Sequence, residues 1–145
     1  LRIDAMIRLV VILWALLAGG GHADPSVLAP LNAYRADSGR APLSYSKRLQ
    51  RIAQLHADDL RRSGRFSHRG SDGSDLGDRM RRAGYGYCFA AENIAKGQRD
   101  RIAVLRSWAG SRSHRRNMLS RNAAEVGLAR ADGNLWVMVL GRAGC

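Results

Sequence analysis

Four short sequence blocks, each with a histidine or a carboxylate, constrain the fold and the candidate site of this chain more than its composition does. The blocks are Phe66-Ser67-His68, Ala91-Glu92-Asn93-Ile94-Ala95, Trp108 to Leu119 with His114 inside it, and Glu125-Val126-Gly127-Leu128. Imidazoles and carboxylates are the side chains that both metal binding and proton transfer use. A fold that brings the blocks together would place His68, Glu92, His114 and Glu125 in one cleft, and we predict them as the candidate site residues.

The order and the residues of these blocks resemble those of the bacterial branch of the CAP superfamily. The superfamily also contains the cysteine-rich secretory proteins, antigen 5 and the plant pathogenesis-related proteins. The resemblance extends from about Leu31 to about Leu140. It also includes Leu31-Asn32-Ala33-Tyr34-Arg35, His56-Ala57-Asp58-Asp59-Leu60, Asp78-Arg79-Met80 and Ala83-Gly84-Tyr85. It implies a three-layer α-β-α sandwich with a central antiparallel sheet, and it places His114 in the central cleft opposite His68.

Hydrophobic spacing independently predicts helices first and a hairpin last, which is an α+β pattern with an antiparallel sheet. The predicted helices are 27–38, a second helix capped by Ser46 and ended by Gly64, a short third helix around 76–83, and 100–108. The predicted strands are 88–95, 125–129 and 135–140, the last two joined by the turn Asp132-Gly133-Asn134.

The N-terminal segment indicates export. Leu9 to Leu17 is apolar, follows Arg8 and precedes small residues that end at Ala23, so we predict a signal peptide over residues 1–23. An uncleaved anchor is the weaker alternative, because the apolar run is shorter than the roughly 20 residues that span a bilayer. Translation starts either at Leu1 or at Met6. Residues 24–145 then form a single CAP domain, which we expect to be a secreted or periplasmic monomer without a transmembrane segment.

The chain is strongly basic, with 24 Lys and Arg residues against 12 Asp and Glu and a net charge of +12. Lys47 and Lys96 are the only lysines. Such a charge would draw the protein to an anionic envelope polymer or lipid. Alternatively, the arginines reflect genomic composition and the charge only maintains solubility. We expect no nucleic-acid partner, because the chain has an export signal and no groove-reading or base-stacking motif.

Cys88 and Cys145 are the only cysteines. Export to an oxidising compartment favours a disulfide between them, which the chain-entropy model values at roughly 4 kcal/mol for so long a loop. A free reactive thiol is the alternative.

The candidate site residues have both functional and structural interpretations. His68 lies in a loop with no core to fill, which favours a role in the cleft. Glu92 lies in an apolar segment and needs a partner there, either for chemistry or for bonding backbone amides. Glu125 either faces the cleft or is a solvent-facing strand end. His56 lies on an apolar helix face and is expected to be a core residue, and Asn117 is expected to fix a loop through its side-chain amide.

The metal and enzyme hypotheses follow from the two histidines. His68 and His114 are the candidate ligands for zinc or another divalent metal, although the interpretation that we favour requires no cofactor. The chain departs from the eukaryotic CAP pattern, because it has Ser111 and His114 where those members have the second glutamate.

Neither the zinc-protease His-Glu-x-x-His helix nor the Gly-x-Ser-x-Gly elbow occurs. We therefore favour a non-catalytic binder of an envelope component, a lipid or a small hydrophobic ligand. A metal-dependent hydrolase, acting on protein or cell wall with Glu92 or Glu125 as general base, is the alternative.

Overall fold

A four-stranded sheet organises the part of the chain that the computed structural model describes, residues 25–145. The predicted signal peptide, 1–23, lies outside the described residues. A 3₁₀ turn, Pro25–Val27, leads into the first helix. The helices are α1 (Leu28–Asp37), α2 (Lys47–Ser63), α3 (Leu76–Arg82), α4 (Arg101–Ala109) and α5 (Arg112–Met118), and the strands are β1 (Ser44–Tyr45), β2 (Tyr87–Lys96), β3 (Glu125–Ala131) and β4 (Leu135–Ala143).

The strands lie in the order β1-β3-β4-β2, so β2 forms one edge of the sheet. The three long strands pair antiparallel, as predicted, and the β3–β4 hairpin turns at Asp132-Gly133-Asn134. The two-residue strand β1 was not predicted. It pairs in parallel with β3, so the sheet is mixed at that edge. Two residues are too few for alternation to be read from a sequence.

Alternation along the long strands gives the sheet two apolar faces. One face packs against α2 and α3 and includes Val137 and Val139. The other packs beneath α1, α4 and α5 and includes Met138 and Leu140. Each face buries its own core, and the α+β, three-layer α-β-α sandwich is confirmed.

The central helix of the first layer, α2, begins and ends at the predicted residues. The Ser46 side chain caps it by accepting a hydrogen bond from the Leu49 amide, and Gly64 ends it in the left-handed conformation with a φ of 68°. Gly127 of β3 lies directly under α2, where a Cβ would collide with the backbone of Leu49 and Gln50. A glycine here lets the helix approach the sheet closely and fixes α2 above it.

Two details of the C-terminal half complete the fold. The polar stretch around His114, for which no helix was predicted, is the helix α5. Its arginines and serines follow no apolar period, so the pattern gave no helical signal. The predicted disulfide joins Cys88 to Cys145 across a Cα–Cα distance of 5.7 Å, and it holds the C-terminus against β2.

Candidate functional site

Glu92 is the centre of the candidate site. It lies on β2 opposite Val139, so its side chain is directed towards the layer formed by α2 and α3. Only 3% of that side chain is exposed. A carboxylate so placed must find partners inside the protein.

Two side chains bind the two carboxylate oxygens. His68 donates a hydrogen bond from Nδ1–H to Oε1 at 2.8 Å, and Arg79 of α3 donates from Nη2 to Oε2 at 2.8 Å. Arg79 also donates from Nη1 to the carbonyls of His68 and Ser74, both at 3.1 Å. The arginine therefore neutralises Glu92 and holds the loop that carries His68.

His56 of α2 is the third neighbour of the carboxylate. Its Nε2–H donates to the carbonyl of Ser67 at 3.0 Å and lies 3.8 Å from Oε1 of Glu92. The ring is 1% exposed, which confirms the expected core position. We refer to Glu92, His56, His68 and Arg79 as the Glu92 cluster.

The histidines of the cluster differ in their affinity for protons. The hydrogen bond to Glu92 raises the pKa of His68 above its ordinary value, against a smaller opposing effect of burial. Burial lowers the pKa of His56, and the negative charge of Glu92 only partly offsets this. At neutral pH His56 is thus neutral, whereas His68 is the histidine most readily charged.

His114 approaches the same edge of the sheet from the opposite layer. Burial lowers its pKa, and the nearby positive charge of His68 lowers it further, so the two imidazoles interact electrostatically. The His114 ring lies beside the Trp108 ring, with the ring centroids 6.5 Å apart. The structure therefore brings His68, Glu92 and His114 to one edge of the sheet.

Two asparagines hold α5, and with it His114, against β2. The fully buried Asn93 donates from Nδ2 to the carbonyl of His114 at 3.1 Å. Asn117 donates from Nδ2 to the Asn93 side chain at 2.8 Å and to the carbonyl of Glu92 at 3.3 Å. Asn117 lies in a helix rather than in the expected loop, but it does fix backbone through its amide.

The structure does not bring Glu125 to this edge. Glu125 lies on β3 opposite Gly141, and its carboxylate accepts a 2.5 Å hydrogen bond from the hydroxyl of Tyr85. Because β4 separates β3 from β2, Glu125 is about 10 Å or more from Glu92 by strand spacing alone. Burial and this hydrogen bond raise the pKa of Tyr85.

The geometry of the cluster does not fit a metal-binding role for Glu92. Its oxygens already face a guanidinium and an imidazole N–H, and a divalent cation beside Arg79 would be repelled. Across residues 25–145, no group of three or more His, Cys, Asp or Glu side chains is arranged to hold a metal ion. His68 Nε2 and the His114 ring are the nitrogens that remain, and zinc binding by these two histidines stays a prediction.

Sequence reasoning missed Arg79 and Asn93 as members of the site. Arg79 occurs among many arginines of a basic chain, and only the fold shows that it is the one beside Glu92. Asn93 could have been identified from the sequence, because a side-chain amide between apolar residues of a buried strand requires a hydrogen-bond partner.

The model of the CAP, cysteine-rich secretory protein family matches residues 28–140. This chain therefore belongs to the CAP family. It is 31% identical over 114 residues to the uncharacterized protein YkwD of Bacillus subtilis (strain 168), a match that covers 78% of this chain and 44% of that protein. The chain thus spans less than half the length of this curated relative.

Solved structures show the same fold. An extracellular protein containing an SCP domain from Bacillus anthracis superposes with a TM-score of 0.77 at 27% identity, over 81% of this chain and 39% of the other. An outer surface protein from Borrelia burgdorferi gives 0.75 at 18% identity, over 82% of this chain and 91% of the other. Within residues 25–145, none of the helices has the length and hydrophobicity that crossing a bilayer requires.

Proposed function

We propose that this chain is an exported binding protein that takes an anionic envelope component, a polymer or a lipid headgroup, at the edge of the sheet between His68 and His114. It needs no cofactor and catalyses no hydrolysis there. Export is supported by the predicted signal peptide, by the disulfide, and by relatives described as an extracellular protein and an outer surface protein.

The observation that carries the proposal is that Glu92 is buried and that both of its carboxylate oxygens are hydrogen-bonded. A general base must reach the proton that it abstracts, directly or through one water. The Glu92 side chain is 3% exposed, and both of its oxygens accept hydrogen bonds from His68 and Arg79. It is therefore a structural anion that orients His68, and it is not available to activate water.

The exposed side of the site favours an anionic ligand. The side chain of His68 is 60% exposed, and its contact with Glu92 favours the protonated, positively charged form. On the other side, α5 carries the arginines Arg112, Arg115 and Arg116 around His114, all of them exposed. An oxyanion at this edge would meet charged donors from two layers of the fold.

Sedimentation with insoluble cell-wall material and with phosphatidylglycerol vesicles tests the proposal, with phosphatidylcholine vesicles as the uncharged comparison. Wild type should bind one anionic material, and the His68→Ala/His114→Ala variant should lose most of that binding. Arg121→Gln, an exposed change elsewhere, should keep it. Retained binding after chelator treatment is expected. Chelator-sensitive cleavage of wall material or of protein by wild type, lost in the double variant, would instead establish the hydrolase.

A further inference from the structure

A groove of about 860 Å³ runs between α2 and α3, on the layer that covers Glu92. The α2 residues that line it extend from Lys47 to Arg62, which is about 22 Å along the helix axis. His56 and Arg79 form its buried wall, so the groove lies behind the Glu92 cluster and not at the exposed edge where His68 and His114 meet. It is long enough for several units of a linear ligand.

Basic side chains outnumber acidic ones in the lining of this groove. The basic residues are Lys47, Arg48, Arg51, Arg62, Arg79 and Arg82, and the acidic ones are Asp58, Asp59 and Asp72. Two of the acids are already paired, Asp59 with Arg62 at 3.0 Å and Asp72 with Arg82 at 2.5 Å. Arg79 is paired with Glu92, so the unpaired positive charge lies at the end of the groove formed by the first turns of α2, and Asp58 is the one acid of the lining without an ion pair among residues 25–145.

That end is formed by Lys47, Arg48 and Arg51 in the first turns of α2. Lys47 and Arg51 make no side-chain hydrogen bond or ion pair within the described part of the chain, and Arg48 donates one hydrogen bond, to the carbonyl of Gly84 at 2.8 Å. Cations are unfavourable at a helix N-terminus, and like charges three or four residues apart repel each other. The first turn of α2 contains no acidic residue that would relieve this. An anion bound there would remove both costs.

Two buried nitrogens in the wall of the groove have no partner. Arg79 Nε–H is a donor without an acceptor, and His56 Nδ1, in the neutral ring, is an acceptor without a donor, among residues 25–145. Their side chains are 10% and 1% exposed. Buried polar atoms are nearly always satisfied, by the protein, by water or by a ligand. Both atoms are almost inaccessible to solvent, so they belong to the buried wall of the groove, and the exposed cations at its end are the groups that would hold a ligand.

We propose that the α2–α3 groove binds a linear polymer that carries phosphate groups, with a phosphate held by Lys47, Arg48 and Arg51. Arginine forks match phosphate oxygens in pairs, and the length of the groove matches a chain of repeating charges better than a single ion. The groove goes beyond the proposed function, because it lies on a different surface from the His68 and His114 edge, and each proposal can fail without the other.

Calorimetry on the full chain, with short-chain inorganic polyphosphate as the probe, tests the groove. Lys47→Gln/Arg51→Gln should weaken binding about tenfold or more at physiological salt, since two charge-assisted contacts are lost. Arg99→Gln/Arg121→Gln removes the same charge at exposed positions outside the groove and outside the His68 and His114 edge, and it should weaken binding about twofold at most, as expected for long-range attraction screened by salt. Thermal unfolding at or above the wild-type temperature shows that both variants are folded, since Lys47→Gln/Arg51→Gln removes unfavourable charges from the start of α2.

Four results would overturn the groove proposal. The first is no binding of polyphosphate by wild type, and the second is an equal loss in the two charge variants, which would mean that only net charge matters. The third is equal affinity for inorganic phosphate or tighter binding to phosphatidylglycerol vesicles, which would mean a single-ion site or a membrane surface. The fourth is loss of polyphosphate binding in His68→Ala/His114→Ala, which would put the polymer at the sheet edge and leave the proposed function standing.

Discussion

Replacing Glu92 by glutamine should destabilise the fold by about 3–5 kcal/mol, because it leaves Arg79 as an uncompensated buried charge. The guanidinium and the carboxylate are 10% and 3% exposed and lie 2.8 Å apart, so water can do little to replace the lost partner. The new amide also directs a donor at one of its two donor neighbours, His68 or Arg79. A domain of this size is stable by about 5–15 kcal/mol, so the loss is a large fraction of the total.

Urea unfolding at pH 7 with the disulfide intact measures this change. Arg82→Gln is the matched control, because it breaks the ion pair with Asp72 at the surface, where both partners are more than half exposed. That variant should unfold at the wild-type urea concentration, since exposed pairs contribute little. The midpoint for Glu92→Gln should fall with an unchanged slope.

A double-mutant cycle distinguishes a buried charge pair from two independent packing losses. Arg79→Met alone should also be strongly destabilising, because it leaves Glu92 without its main counter-charge. The combination Glu92→Leu/Arg79→Met removes both charges, and it should be clearly more stable than the summed losses of Glu92→Leu alone and Arg79→Met alone predict. Additive losses, or a cost for Glu92→Gln of less than about 1 kcal/mol, would refute the buried-pair reasoning.

Three further predictions concern the sheet and its histidines. Gly127→Ala should cost at least about 2 kcal/mol in urea unfolding, because the added methyl overlaps the backbone of α2. NMR titration should give His68 a pKa above 6.5, and this pKa should fall in Glu92→Gln. The folded state holds the His68 proton more tightly than the unfolded state does. Protonation of His68 therefore stabilises the fold fully below pH 6.5, and this contribution is lost as the pH rises through the folded pKa. Asn117→Ala should cost about 1–3 kcal/mol by leaving buried Asn93 with an unmet acceptor, and its spectra should show the His114 resonances displaced.

The architecture was accessible from the sequence because its elements carry local signals. Ser46 and Gly64 bound α2, and the turn at Asp132-Gly133-Asn134 specifies the hairpin, since both depend on backbone geometry that few residue types satisfy. The helix α5 lacked such a signal. It is held by Asn93 and Asn117, which are tertiary contacts that no periodicity reports.

The site was predicted in part for a similar reason. His68, Glu92 and His114 were predicted because they lie in the ordered blocks that resemble the CAP superfamily, and because a carboxylate in an apolar segment and a histidine in a loop stand out. Glu125 was placed wrongly with them in our cleft hypothesis, because whether it reaches Glu92 depends on the strand order, and β4 lies between the two strands. Arg79 was not distinguished from the other arginines of the chain.

Glu92 and Asn93 are adjacent in the sequence, and through them the edge strand β2 contacts both helical layers of the sandwich. Successive residues of a strand point to opposite faces, so Glu92 binds α3 and the His68 loop on one side, while Asn93 binds α5 and positions His114 on the other. Two adjacent residues therefore set the separation of two imidazoles that belong to different layers. Shifting β2 by one residue would exchange the carboxylate and the amide, and it would place an uncompensated charge against α5 and an amide against Arg79. The geometry of the site therefore depends on the register of β2 with β4 as much as on the histidines themselves. The Cys88–Cys145 disulfide links the start of β2 to the C-terminus that follows β4.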